Sequence, residues 1–369
     1  MKFIHRLPAL TLLIIPAIIL LSCCRQHSSQ RSSGAAGRIN TSVISILSPA
    51  TGTVIKSGDS VLIQFEPRQP DIRVDSVTLL TDKNPVVTHT GSAGSIYWHA
   101  GNIRVGQRTI KLTVHYNDSL RESHNINLVI LSDISPKNYS YRVIAKYPHD
   151  ENAYIQGLLF DNGLLYESTG LEGRSSLRVV DISSGKPEKI VTLGSGYFGE
   201  GIALFKDQIY QITYKTQVGF VYDKETLQQI RSFDYQIREG WGLTTDGINL
   251  IMSDGSAQLF FIEPEYYTQT DRLEVFDNMG MVTSLNELEY INGKILANVY
   301  GESYIVVIDP ETGKVTGRLD LTDLMPEGSE GDMGKVLNGI AGNPQTGHIY
   351  VTGKDWPVLY EIELSPAHK

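Results

Sequence analysis

The chain has 369 residues, 41% of them hydrophobic and 20% charged, the makeup of an ordinary globular protein with room for two or three domains. A net charge of −9 excludes a basic surface for nucleic acid, and the two cysteines, Cys23 and Cys24, leave the rest of the chain without a disulfide or a thiolate metal site. The 34 glycines and 19 tyrosines, with little apolar spacing of helical period, point to an all-β chain broken by turns.

Residues 1–22 read as a secretory signal: Lys2 and Arg6 precede an apolar run from Leu7 to Leu21 that is short for a transmembrane span. Leu20-Leu21-Ser22-Cys23 resembles a bacterial lipobox, in which Cys23 is lipidated and becomes the mature N-terminus. The expectation is an exported protein, held by a lipid anchor to the membrane of the bacterial envelope, periplasmic or at the cell surface. Removing the signal takes away two positive charges and no negative one, so −9 becomes −11. Residues 23–42, rich in Ser, Gly, Gln and Arg, bury too little apolar surface to fold and read as a flexible tether.

Residues 43–132 carry short alternating segments such as Ser60 to Phe65, Val74 to Leu79 and Thr109 to Val114, separated by turn residues. That spacing predicts an immunoglobulin-like β-sandwich, with Trp98 as a core residue. The stretch from Ser132 to Asn138 reads as a linker.

An internal repeat occupies residues 139–364. The triplets Gln156-Gly157-Leu158, Glu200-Gly201-Ile202, Trp241-Gly242-Leu243, Asn286-Glu287-Leu288 and Asn338-Gly339-Ile340 recur at intervals of 44, 41, 45 and 52 residues. Each opens a strand, a tight turn and a second apolar strand, and several repeats continue into a third strand ending in Asp followed by turn chemistry. Four strands in about 45 residues predict the blades of a five-bladed β-propeller. The last repeat stops after its third strand, from Val358 to Leu364, and the segment from Tyr139 to Lys146 has the pattern to close the ring.

Equivalent positions of successive blades surround one axis, so the first residues of the triplets, Gln156, Glu200, Trp241, Asn286 and Asn338, should ring the channel mouth. A structural position would repeat one residue type; this one holds three amides, a carboxylate and an indole. A second ring, 13 residues after each triplet centre, holds Gly170, Tyr214, Gly255 and Tyr300, with Lys354 as the fifth member once a longer turn is allowed for. One acid, one cation, several amides and an aromatic wall suit a small polar ligand with an apolar neighbour. None of the nine histidines forms a ligand pair at helical or hairpin spacing, which argues against zinc.

Eight ordered motifs between residues 140 and 364 carry a family resemblance. They include Tyr154-Ile155-Gln156-Gly157-Leu158, Tyr197-Phe198-Gly199-Glu200-Gly201, Gly240-Trp241-Gly242-Leu243, Leu285-Asn286-Glu287-Leu288-Glu289-Tyr290 and Val351-Thr352-Gly353-Lys354-Asp355-Trp356-Pro357. These motifs resemble those of the plant-type glutaminyl-peptide cyclotransferases. The resemblance implies a five-bladed propeller that cyclises N-terminal glutamine to pyroglutamate on peptides or proteins without zinc or any cofactor in the chemistry. It also implies, in many members, a structural calcium ion in the channel, whose ligands here are unassigned.

Glu200 falls on the family's essential glutamate, and Asn286, Lys354, Gln156 and Trp241 on its other site positions. In that reading Glu200 takes the proton of the α-amine and hands it to the departing nitrogen, while Lys354 and the amide of Asn286 or Gln156 face the oxyanion. Tyr154, Phe198, Tyr214, Trp241, Tyr300 and Asn338 complete the substrate pocket, with Tyr154, Tyr214 and Tyr300 standing where the plant proteins tend to carry Phe or Trp. Two readings compete: a non-catalytic surface propeller that binds peptides or glycans, and a metal-dependent, lactonase-like hydrolase. The hydrolase calls for several ring carboxylates, where the first ring has one and the second none.

Overall fold

The computed structural model describes residues 42–81, 84–89, 94–101, 103–329 and 331–366. The expected signal, Cys23 and the tether up to Thr41 lie outside the described residues. Ser42–Lys369 forms one compact unit, and among the described residues its regular elements are strands apart from a 3-10 turn at Thr322–Leu324.

The N-terminal portion contains two sheets. Ile44–Ser48, Ser60–Pro67 and Gly94–His99 form one of them, in that order. Thr53–Lys56, Leu120–Leu131, Gly106–Tyr116, Val74–Thr81 and Asn84–His89 form the other, in that order. Alternation decides what each strand buries. In Ser60–Pro67, Val61, Ile63 and Phe65 point inward, where they join Val77, Leu79, Ile110 and Leu112 of the second sheet in one core. Trp98 is buried in that core, as its sequence context predicts.

Two arginines tie this portion to the C-terminal sheets. Arg104 pairs with Asp271 at 2.6 Å and Arg108 with Glu274 at 2.9 Å, and the Val105 N–H donates to the Thr312 carbonyl at 2.9 Å.

Three four-stranded sheets come next, each with its strands in sequence order, opening with Ile155–Asp161, Gly199–Phe205 and Leu243–Thr245. The remaining strands merge into one sheet of eight, opened at its two edges by Leu285–Ile291 and Leu337–Gly342. The seam is Lys137–Pro148. It pairs antiparallel with Val358–Pro366, from Pro148 opposite Val358 to Tyr139 opposite Pro366. This is the closing strand expected at Tyr139 to Lys146, longer at both ends.

The expected linker is correspondingly shorter, because Lys137 and Asn138 belong to the strand. They pair in parallel with Gly317 and Arg318 of Val315–Asp320, the outer strand of the neighbouring set, whose open edge offers unpaired N–H and C=O groups.

The five opening strands touch one another in cyclic order, with Leu337–Gly342 against Ile155–Asp161 completing the circle. Five apolar clusters fill the spaces between successive sets. The one that closes the circle joins Leu158, Leu165 and Val180 to Ala341, Tyr350 and Leu359. The backbones approach closely at the centre: a Cβ on Gly242 would collide with the Asn286 carbonyl oxygen. Gly242→Ala is therefore expected to destabilise the protein by about 1–3 kcal/mol through overpacking. Calorimetry checks this; an unchanged melting temperature would mean that the strands are not in such contact.

Candidate active site

Four of the opening strands break their ladders at the triplet, with register shifts at Ile155/Gly157, Gly199/Ile202, Leu285/Leu288 and Leu337/Ile340. Such bulges interrupt pairing and re-aim side chains, a common device beside functional sites. In the third sheet Trp241 precedes the strand, which begins at Leu243. The first residues of four triplets, Gln156, Glu200, Trp241 and Asn286, thereby line one cavity of about 210 Å³ together with Lys354. Tyr154, Phe198, Tyr214 and Tyr300 complete its wall. Nine of the ten residues singled out from the sequence meet here.

The tenth, Asn338, lies behind the wall, fully buried. Its Nδ2 donates to the Ile155 carbonyl at 2.9 Å and to Gln156 Oε1 at 3.3 Å. Gln156 Nε2 in turn donates to Glu200 Oε1 at 3.0 Å. Asn338 therefore orients Gln156, and Gln156 fixes one oxygen of the carboxyl.

The aromatic rings form a belt. Centroids lie 6.4 Å apart for Tyr154 and Phe198, 5.8 Å for Phe198 and Tyr214, 6.4 Å for Tyr214 and Trp241, and 5.7 Å for Trp241 and Tyr300. Most meet edge to face, the favoured arrangement of ring quadrupoles. The Lys354 amine closes the belt, 4.7 Å from the centroid of Tyr154 and 5.1 Å from that of Tyr300. The glycines of the second ring make room: at Gly255, where φ is +78°, a Cβ would meet the Trp241 ring.

Glu200 is 4% exposed and Lys354 also 4%. Burial drives the Glu200 pKa well above the usual carboxylate value, with a smaller push from Glu239, against the attraction of Lys354. Burial likewise lowers Lys354 to about 8, against the pull of Glu200 and Asp355. The carboxyl thus holds its proton more tightly, and the amine more loosely, than either would in water. Asn286 is buried, and among the described residues its Oδ1 has no hydrogen-bond partner.

A larger cavity, of about 320 Å³, lies at the opposite ends of the same strands, around Thr244, Glu289 and Asn343. It holds a half-buried carboxyl, that of Glu289, which desolvation raises to about 8, but no lysine or arginine lines it. The smaller cavity is the one in which acid, amine and amides converge.

Sequence reasoning passed over two carboxylates. Glu239 accepts the Trp241 indole N–H at 3.3 Å and lies 3.6 Å from Lys215 at the rim. Glu287 is buried between the opening strands. The signal for Glu287 was present, since it occupies the one triplet centre of the five that is not glycine.

An all-β protein whose opening strands bring one buried carboxyl and two amides beside the buried amine of Lys354, within an aromatic belt, is built to hold a small polar group out of water. Residues 117–364 match the glutamine cyclotransferase family, a span that begins earlier than the expected motifs and takes in the strand Leu120–Leu131. The glutaminyl-peptide cyclotransferase of Arabidopsis thaliana is 40% identical over 240 residues, which cover 64% of this chain and 74% of that protein. The crystal structure of Myxococcus xanthus glutaminyl cyclase is similar at a TM-score of 0.59 and 36% identity, covering 63% of this chain and 100% of the other. This chain belongs to the glutamine cyclotransferase family.

The raised pKa of Glu200 has a consequence for stability. A carboxyl whose folded-state pKa exceeds its unfolded value contributes stability that is full below about pH 4.5 and is lost as pH rises through the folded pKa. Glu200→Gln removes that loss and still accepts from Gln156. At pH 8 the variant should melt at least about 2 °C above the wild type, with the gap closing below pH 4.5. Equal melting temperatures across that range would contradict the burial of a titrating carboxyl.

Proposed function

We propose that the chain converts N-terminal glutamine of peptides or proteins to pyroglutamate with release of ammonia, and that Glu200 carries the proton. The observation behind this reading is the meeting of a buried carboxyl, a buried amine and an unpaired amide oxygen inside an aromatic belt. Family membership and the names of both relatives support the reaction.

The reaction is an intramolecular attack. The neutral α-nitrogen bonds to the carbon of its own γ-carboxamide, a tetrahedral centre forms, and the bond to the carboxamide nitrogen then breaks. One proton leaves the α-nitrogen and one reaches the departing nitrogen, so a single group serves as base and then as acid. Burial raises the Glu200 pKa, so the carboxyl holds a proton more tightly than it would in water and can hand it on to the departing nitrogen.

Tyr154, Phe198, Tyr214, Trp241 and Tyr300 enclose the methylene chain and favour the ring-forming conformer. By excluding water they suppress hydrolysis to glutamate. Lys354 offers positive charge to the oxyanion. Gln156 is committed to Glu200, which makes the Asn286 amide the freer partner: its unpaired Oδ1 accepts an N–H of the substrate's nitrogen. Asn338 holds Gln156 in place.

The calcium ion implied by the resemblance would need several oxygen ligands. Among the described residues no three His, Cys, Asp or Glu side chains converge. Glu287, the carboxyl between the opening strands, has each oxygen taken by a backbone N–H. These side chains do not make a calcium cage.

The same reading makes residues 139–364 a five-bladed propeller, supported by the cyclic contacts of the opening strands, and residues 43–132 an immunoglobulin-like sandwich, supported by the core its two sheets share. The signal, the tether and a lipid on Cys23, with an envelope location, rest on the sequence pattern.

Incubating the purified protein with a Gln-initiated peptide is expected to give a product lighter by one ammonia in the mass spectrum. Glu200→Gln is expected to slow this by about 10²–10⁴-fold. No conversion by the wild type would remove the activity, and undiminished conversion by the variant would remove Glu200 from the chemistry.

Lys354 tests a second part. With its amine near 8, kcat should fall above that pH as the charge is lost. Lys354→Arg stays charged, so the alkaline limb should vanish while kcat drops about tenfold or more. A limb unchanged in the variant would assign it to another group.

A further inference from the structure

Each opening strand is an edge of its sheet, and every buried backbone N–H that it turns away from the ladder needs another acceptor. Several are served one at a time. The Gly201 N–H donates to the Trp241 carbonyl at 2.7 Å, that of Gly242 to Ser253 Oγ at 2.7 Å, and that of Gly339 to Asn298 Oδ1 at 3.0 Å.

Glu287 serves two at once. Its Oε1 accepts from the Leu158 N–H at 3.2 Å and its Oε2 from the Ile340 N–H at 2.9 Å, and the residue is 1% exposed. Leu158 ends the triplet that begins with Gln156, Ile340 ends the one that begins with Asn338, and Glu287 itself comes directly after Asn286. One carboxyl therefore joins the three strands that carry the three amides of the first ring. Two of those amides lie in the chain that runs from Asn338 through Gln156 to Glu200.

We propose that Glu287 is a positioning residue for the reaction: by bonding the first and fifth opening strands from the fourth, it sets where Gln156 and Asn338 hold the Glu200 carboxyl and where Asn286 meets the substrate. The proposal rests on the cyclotransferase reading above. A carboxyl suits this place better than an amide, since two donors require two acceptors. Glutamine would turn its NH2 against one of the N–H groups and leave that donor unpaired. Strand displacements of about 1 Å at such a tie are enough to lower turnover on the order of 10²-fold without removing any group that touches substrate.

The test compares wild type, Glu287→Gln, Glu287→Ala and Val306→Ala, the last a truncation at a buried position outside the site cavity. For each, kcat and KM on a Gln-initiated peptide are measured beside thermal melting and the hydrogen exchange of the Leu158 and Ile340 amides.

The expected result for Glu287→Gln is a kcat at least tenfold lower, a KM within threefold of the wild type, and faster exchange at one of the two amides. Glu287→Ala should lose more kcat and speed exchange at both. Val306→Ala, below its melting temperature, should keep wild-type kcat. If Glu287→Gln and Glu287→Ala do not fold, Glu287→Asp, which shortens the reach and keeps the carboxyl, carries the same expectation as Glu287→Gln.

A Glu287 variant that exchanges faster at Leu158 or Ile340 yet turns over like the wild type would overturn the proposal, as would unchanged exchange at both. An inactive wild type would instead sink the cyclotransferase reading, so the two failures are distinct.

Discussion

A carboxyl group withdrawn from water is the constraint around which the C-terminal sheets are arranged. Glu200 receives one hydrogen bond from Gln156 and the field of a buried lysine, less than a fixed anion would require. Its preference for the neutral form stems from that shortage, and so does its capacity to give and regain a proton. A fully compensated carboxylate in the same place would be more stable and less useful. Lys354 is the counterpart: burial lowers its pKa, and the faces of Tyr154 and Tyr300 offer it partial compensation through their quadrupoles.

Those two groups stay close because five strands meet backbone to backbone. Gly242 shows how little space remains, and Glu287 shows what happens where the glycine is missing: the side chain runs between strands and takes up donors that the strand edges leave free. The bulges turn side chains into the cavity, and the open strand edges create a need for acceptors that ties neighbouring sheets together.

Much of this was legible in the sequence because repetition turns spacing into geometry. The five triplets foretold the opening strands, the missing last strand foretold the closure by Lys137–Pro148, and equivalent repeat positions foretold seven cavity residues, to which the family motifs added Tyr154 and Phe198. Asn338 was counted with the ring but lies one layer behind, because the repeat fixes the strand and not which residue of a bulge reaches the opening. The parallel pairing of Lys137–Tyr139 with Gly317–Leu319 left no periodic trace, since it depends on an edge created only when the sheets assemble. Glu287 was visible as a departure from the repeat, but its partners are backbone groups that no side-chain pattern records.

The central claim is that the enclosed belt lets the substrate's own nitrogen, and not water, attack the carboxamide. Turnover of a Gln-initiated peptide in heavy-oxygen water measures this directly. Attack by the substrate's own nitrogen gives a pyroglutamyl product free of the heavy isotope, with one ammonia released per peptide. A glutamyl product carrying heavy oxygen would show that water reaches the carboxamide carbon, and would contradict it.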